Sequence, residues 1–328
     1  MSGVGRDDGL DAPFRRAPMC RIGSHRPEVP RAMIIANPKY DVVFTYLFED
    51  EKAARLVLSA LLGREVLELH LRPTERRPGA SRSDFVPILV LRMEFTAKVQ
   101  MEDGSRNQVL IEILKVRSPR DLQRYRRFAS AEVAGPRVLD LDAEGKRREL
   151  PVVTVYCLLE GLDNVDGPVL NVRSVPDLHG GDAGSRRLEC LDVATGSEVW
   201  TADPFMASLT HGSIIVQCNR LKDRRRTELE RLLEVFDPSL AFRSQPHEVD
   251  IPEEPFPERH REVLYRLMRA GAERAIREKM DLDDDLLSVF RDMGRERADL
   301  LQAIEEKNLV IEARNRQIAD RERRLASG

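Results

Sequence analysis

Two glutamates stand where they could share one cation. Glu94 lies in the strand-like run 92–101, Glu112 in the run 108–115, and Asp103-Gly104 falls between them. Side chains alternate between the faces of a strand. Glu94, Thr96, Lys98 and Gln100 therefore share one face of the first arm, and Leu110, Glu112 and Leu114 share one face of the second. A three-residue loop at Asp103-Gly104-Ser105 predicts Thr96 opposite Glu112 and Glu94 opposite Leu114, with both carboxylates on one side. A two-residue loop would move the register by one and send them to opposite sides. Paired carboxylates suit Mg²⁺ or Mn²⁺. Such an ion lowers the pKa of a bound water and neutralises charge on a phosphodiester. Lys98 shares the carboxylate face and offers an ammonium to a transition state. Lys115 falls on the side of Ile111 and Ile113 unless a bulge turns it. A polar hairpin face is more often a solvated outer surface, although Leu110 and Leu114 argue against full exposure.

The elements that must position this hairpin are readable around it. Asp41 to Gly63 reads as a helix pair, with apolar stripes at Val42, Val43, Tyr46, Leu47 and at Ala53, Leu56, Val57, Ala60, Leu61. Val66–Leu71 alternates like a half-buried strand, and residues 84–91 read as extended. Ser118-Pro119 starts a helix, with Ser as N-cap. The unalternating run 151–159 suits a central strand covered on both faces. Residues 169–172, 188–199 and 213–218 read as further strands, and 223–236 as a helix. Five prolines in 238–257 read as a linker, followed by helix over 257–276. Ile304, Ile311, Ile318 and Leu325 recur every seven residues beside Leu301, Asn308, Asn315 and Glu322. That seam fits a two-stranded coiled coil and equally a single solvated helix.

Length and composition bound the rest. The chain has 328 residues, 41% hydrophobic and 33% charged, with net charge −3, so a nucleic acid would have to be held by local basic clusters. Cys20, Cys157, Cys190 and Cys218 form no CxxC pair, which fits a reducing cytoplasm better than a zinc site or a disulfide framework. No apolar run approaches the ~18 residues of a membrane span. Residues 1–32 read as disordered, and Met33 rather than Met1 is a plausible start. Neither a phosphate-loop motif nor a recognisable Ser, Cys or His nucleophile motif is present.

Several strings resemble one family. Asn37-Pro-Lys-Tyr-Asp-Val-Val-Phe-Thr-Tyr-Leu-Phe48, Arg92-Met-Glu-Phe-Thr-Ala-Lys98, Val109-Leu-Ile-Glu-Ile-Leu-Lys115, Arg124-Tyr-Arg-Arg-Phe128 and Arg220-Leu-Lys-Asp-Arg-Arg-Arg-Thr-Glu-Leu-Glu230 are similar to the PD-(D/E)XK nuclease family transposases, the recombination-promoting nuclease/putative transposase group. The likeness covers about Met33 to Ser239. It implies a restriction-endonuclease-like α/β/α core with a mixed sheet and Mg²⁺-dependent DNA cleavage. Glu94 and Glu112 would be the metal carboxylates, Lys98 or Lys115 the lysine, and Asp41 an accessory acid near the metal. Asp41 equally suits a helix N-terminus through the dipole. The chain departs from the pattern twice: the family has Asp where Glu94 stands, and Leu114 occupies a position that expects a polar group.

DNA contacts would come from Arg120, Arg124 and Arg127 after the hairpin and from Arg224, Arg225 and Arg226. Each is equally served by a solvated helix face. The expected organisation is an N-terminal extension (1–32), a nuclease-like domain (33–240), a linker (241–256), a helical extension (257–297) and a charged helix (298–328) that could form a homodimer. Two functions follow: a metal-dependent DNA endonuclease, active or degenerate, or a catalytically inactive DNA-binding or scaffold protein assembled through its C-terminal helix.

Overall fold

The computed structural model describes residues 32–72, 90–123, 139–141, 147–176, 186–201, 203–207, 209, 212–252 and 256–326. Strand β1 (Ala32–Ala36) leads into α1 (Asp41–Glu49) and α2 (Glu51–Leu62). The Asp50 carboxylate caps α2 by accepting from the Ala53 N–H at 2.9 Å. Gly63 ends it at φ 64°, a left-handed conformation that glycine adopts without strain. The hairpin is β3 (Val90–Gln100) and β4 (Arg106–Val116), with β2 (Val66–Leu71) on its outer edge. Residues 119–123 are the described part of α3. Then come β5 (Leu139–Leu141), β6 (Arg147–Glu149), β7 (Val152–Leu158), β8 (Val169–Pro176), β9 (Arg186–Asp192), the single turn α4 (Pro204–Ala207) and β10 (Ser213–Gln217). The chain closes with α5 (Glu228–Leu233), β11 (Glu248–Pro252), α6 (Arg261–Ala272) and α7 (Arg274–Ala326).

The fold is α/β. Seven strands form one mixed sheet in the order β2-β3-β4-β7-β10-β8-β9. β7 is its centre and pairs in parallel with both β4 and β10, while the outer pairs are antiparallel. This explains the unalternating apolar run: Val155 and Cys157 face one core, Tyr156 and Leu158 the other. The first core lies between the sheet and α1, α2 and α6, and includes Phe95, Ile111 and Ile113. The second includes Leu114, Tyr156, Leu122 of α3 and Phe205 of α4.

Three expectations need correction. The segment 241–256 is not a plain linker, because β11 pairs antiparallel with β1 and Val249 and Ile251 are fully buried. The first core is continuous from Ile35 to Met280, so it does not stop near residue 240. The helix expected over 223–236 is also shorter. Asp223 has φ 57°, Thr227 caps α5 through its side chain, and the end tightens to a 3₁₀ turn at Glu234–Phe236. The expected extension 1–32 lies outside the described residues apart from Ala32. No described helix is long and apolar enough to cross a membrane.

His260, buried at the start of α6, gives this closing segment a pH signature. Burial and then the Arg259 charge hold its pKa below the usual histidine value. A depressed folded pKa contributes stability that is complete above about 6.5, the unfolded value, and is lost as pH falls through the folded pKa. Stability against urea is therefore expected to fall between pH 7.5 and pH 5.5. In His260→Gln that part of the slope should be missing, whereas an unchanged slope would contradict the assignment.

Candidate functional site

The hairpin places the two glutamates on one face, closer than the sequence register implied. Glu94 pairs directly with Glu112, and Thr96 with Leu110. The loop is Glu102-Asp103-Gly104 rather than Asp103-Gly104-Ser105, because the Met101 N–H donates to the Ser105 carbonyl at 2.8 Å. Asp103 fixes that turn by accepting from the Ser105 N–H at 2.9 Å and its hydroxyl at 2.6 Å. Gly104 supplies φ 79°. Moving the loop by one residue shifts the ladder by two, and an even shift preserves the faces.

A guanidinium already stands between the carboxylates. Arg92 shares their face, two residues before Glu94 and opposite Leu114. Its Nη2 pairs with Glu94 Oε1, and its Nε lies 2.6 Å from Glu112 Oε1. Arg72 Nη1 donates to the second Glu94 oxygen at 3.2 Å, and the Thr154 hydroxyl lies 3.5 Å from the second Glu112 oxygen. Both Glu94 oxygens thus meet a guanidinium, Glu112 meets Arg92 as an ion-pair contact in which Nε makes no hydrogen bond, and two arginines balance two glutamates. The glutamate side chains are 18% and 19% exposed, so solvent screens these pairs only partly. Leu114, on the same face, is buried.

Mg²⁺ demands near-octahedral oxygen ligation. This face offers two carboxylates, both engaged, and a leucine where a third polar group belongs. Among the described residues no group of three or more His, Cys, Asp or Glu side chains gathers to hold a metal. The residues present do not fit the cation that the resemblance implies.

The other residues singled out in the sequence lie elsewhere. Lys98 keeps to the carboxylate face, but its Nζ pairs with Glu68 across β2 at 3.0 Å. It also stands four residues along the strand from Glu94, roughly 13 Å at strand rise. Lys115 and Asp41 are on the opposite side of the sheet. The buried Lys115 Nζ donates to the Lys39 carbonyl at 2.5 Å and to Asp41 Oδ1 at 2.6 Å, beside the Phe44 ring. Asp41 therefore joins β4 to α1 and is not an accessory acid at the glutamate pair.

Sequence reading missed both arginines and a second polar cluster behind the sheet. Asp284 of α7 accepts from the Tyr40 hydroxyl at 2.9 Å and meets His247 Nε2 at the same distance. Asp283 beside it has a raised pKa, first from burial and then from the Asp41 charge, with Lys115 opposing. This cluster fastens the start of α7 to α1 and to the turn before β11. The alternation Arg92-x-Glu94 was the available signal for the guanidinium, since residues two apart share a face.

Two of the six arginines expected at DNA pair with buried acids of the fold. Arg225 pairs with buried Glu234, whose pKa burial raises and Arg225 lowers. Arg226 grips Glu230, which is 1% exposed, at 2.6 Å, and approaches Asp192. Arg120 is exposed, and Arg124 and Arg127 lie outside the described residues. Arg226→Ala would leave the Glu230 carboxylate with the backbone N–H of residue 226 as its donor. Chemical denaturation is expected to show a loss of about 2 kcal/mol, below the usual cost of orphaning a buried charge because Arg226 is itself part-exposed. Unchanged stability with weakened DNA retention would assign this arginine to phosphate instead.

Comparison of the chain with protein-family models, curated proteins and solved structures found no match.

Proposed function

We propose that this chain has a nuclease-type α/β/α fold that no longer cleaves DNA and acts as an assembly protein presenting α7. The observation that carries this reading is Arg92, which bridges Glu94 and Glu112 where a catalytic cation would have to sit. A planar guanidinium matches two carboxylates in a way a hydrated ion must displace at a cost in charge-assisted hydrogen bonds. Buried Leu114 points the same way, because a hydrocarbon can orient neither water nor phosphate. The engagement of Arg225 and Arg226 with buried acids takes these two arginines away from a phosphate backbone. By contrast, α7 is 53 residues long, and Leu300, Ile304 and Ile311 on it are exposed. Large exposed apolar side chains in a row mark a docking face.

Supercoiled plasmid incubated with the full chain and Mg²⁺ or Mn²⁺ is expected to remain supercoiled. Nicking that disappears in Glu112→Ala would overturn the silent-site reading.

A further inference from the structure

Helix α7 leaves the core early. Ile276 and Met280 are buried and Asp284 is held by Tyr40 and His247, whereas the helix continues to Ala326. Residues 286–326 amount to roughly 60 Å of helix at 1.5 Å per residue. Leu286, Val289, Met293, Leu300, Ile304 and Ile311 on it are each between 44% and 60% exposed. Their spacings of 3, 4, 7, 4 and 7 residues keep them within an arc of about 60° at 3.6 residues per turn. That is a single straight seam, of the width another helix covers.

Charge along the helix says what covers it. Residues 281–290 contain Asp281, Asp283, Asp284 and Asp285 and no base, a net −4. Residues 314–324 contain five arginines against Asp320 and Glu322, and 5 − 2 gives +3. We infer that α7 pairs with α7 of a second copy of this chain, antiparallel, about a two-fold axis near residue 302. In that register Leu300 meets the partner's Ile304 and Met293 the partner's Ile311. The acidic start of each helix then lies along the basic end of the other. A parallel pair would instead set the exposed Asp281 and Asp285 beside their own copies, Asp283 and Asp284 being turned to the core. Exposed charges add little binding energy individually, so the apolar seam supplies the attraction and the charges select the direction. A two-fold axis makes every contact occur twice, as a homodimer requires. The inference deepens the assembly reading by naming its partner. Plasmid cleavage would overturn the silent site without touching the dimer, and a monomeric chain would overturn the dimer without restoring cleavage.

The test uses the full chain with Cys20→Ser, so that a spin label at Ser288→Cys, exposed and off the seam, reports alone while the three other cysteines stay buried. Light scattering is expected to give twice 37.4 kDa. Dipolar spectroscopy is expected to give a label separation of about 40 Å or more, from the 28 residues between positions 288 and 316 at 1.5 Å each. The double variant Leu300→Asp, Ile304→Asp is expected to be monomeric with an unchanged circular dichroism spectrum. A separation under about 20 Å, the parallel arrangement, would overturn the inference, as would a monomeric parent chain or a charge-bearing double variant that remains dimeric.

Discussion

Replacing Arg92 with methionine is expected to cost about 2 kcal/mol at neutral pH, below the usual cost of breaking a buried ion pair because the arginine is itself part-exposed, and the deficit is expected to shrink in acid. Without the guanidinium, Glu94 and Glu112 face each other across one rung of the ladder, with only Arg72 and Thr154 nearby. Like charges at that separation push carboxyl pKa values up in the folded state. A raised folded pKa means stability that is present below the unfolded value, about 4.3, and lost as pH rises through the folded one. The difference between parent and variant should therefore be largest near pH 7 and small near pH 4. Millimolar Mn²⁺ should stabilise Arg92→Met and leave the parent chain unmoved, because only in the variant is one oxygen of each carboxylate released from Arg92. Chemical denaturation across pH, with and without Mn²⁺, measures all of this. A variant as stable as the parent at every pH would show that the guanidinium is not what holds the pair.

A chain ending at Leu240 is expected not to fold, since it loses β11, α6 and the anchored start of α7 together. Val249, Ile251, Val263, Leu264 and Leu267 are all fully buried against β1 and the first helix pair. Their removal exposes Ile35, Phe44 and Leu47 to water, and each buried aliphatic or aromatic side chain is worth about 1.5–3 kcal/mol. Three such losses come to about 4.5–9 kcal/mol, comparable with the whole stability of an ordinary domain, about 5–15 kcal/mol. The single change Ile251→Ala is expected to cost about 2–5 kcal/mol. A soluble, cooperatively unfolding fragment ending at Leu240 would restore the linker reading. A chain ending near residue 290, which keeps these elements, should fold.

These two effects also show where the sequence was legible and where it was not. The helix pair before Gly63, the central strand 152–158 and the shared face of Glu94 and Glu112 follow from local period and end signals. The register was off by two because the loop is set by the Asp103 carboxylate, which a count of loop residues does not weigh. β11 was hidden because Pro246, Pro252, Pro255 and Pro257 crowd a five-residue strand whose alternation rests on Val249 and Ile251 alone. Its partner lies more than two hundred residues earlier, a pairing that no local pattern reports. The chemistry was the least legible part. Two carboxylates on one face have the same sequence signature whether a metal or an arginine completes them. Only the side-chain path of Arg92 and the second arginine at position 72 distinguish the cases. Strand alternation put Lys115 on the side of Ile111 and Ile113, where it stands, whereas the place of Asp41 on α1 follows only from its contact with that lysine.

Manganese binding, followed by electron paramagnetic resonance on the parent chain, probes the glutamate pair most directly. An arginine-closed pair leaves the free Mn²⁺ signal undiminished by the parent at micromolar protein and diminished by Arg92→Met. A saturable one-to-one site on the parent that vanishes in Glu112→Gln would contradict the closed site and return the hairpin to metal chemistry.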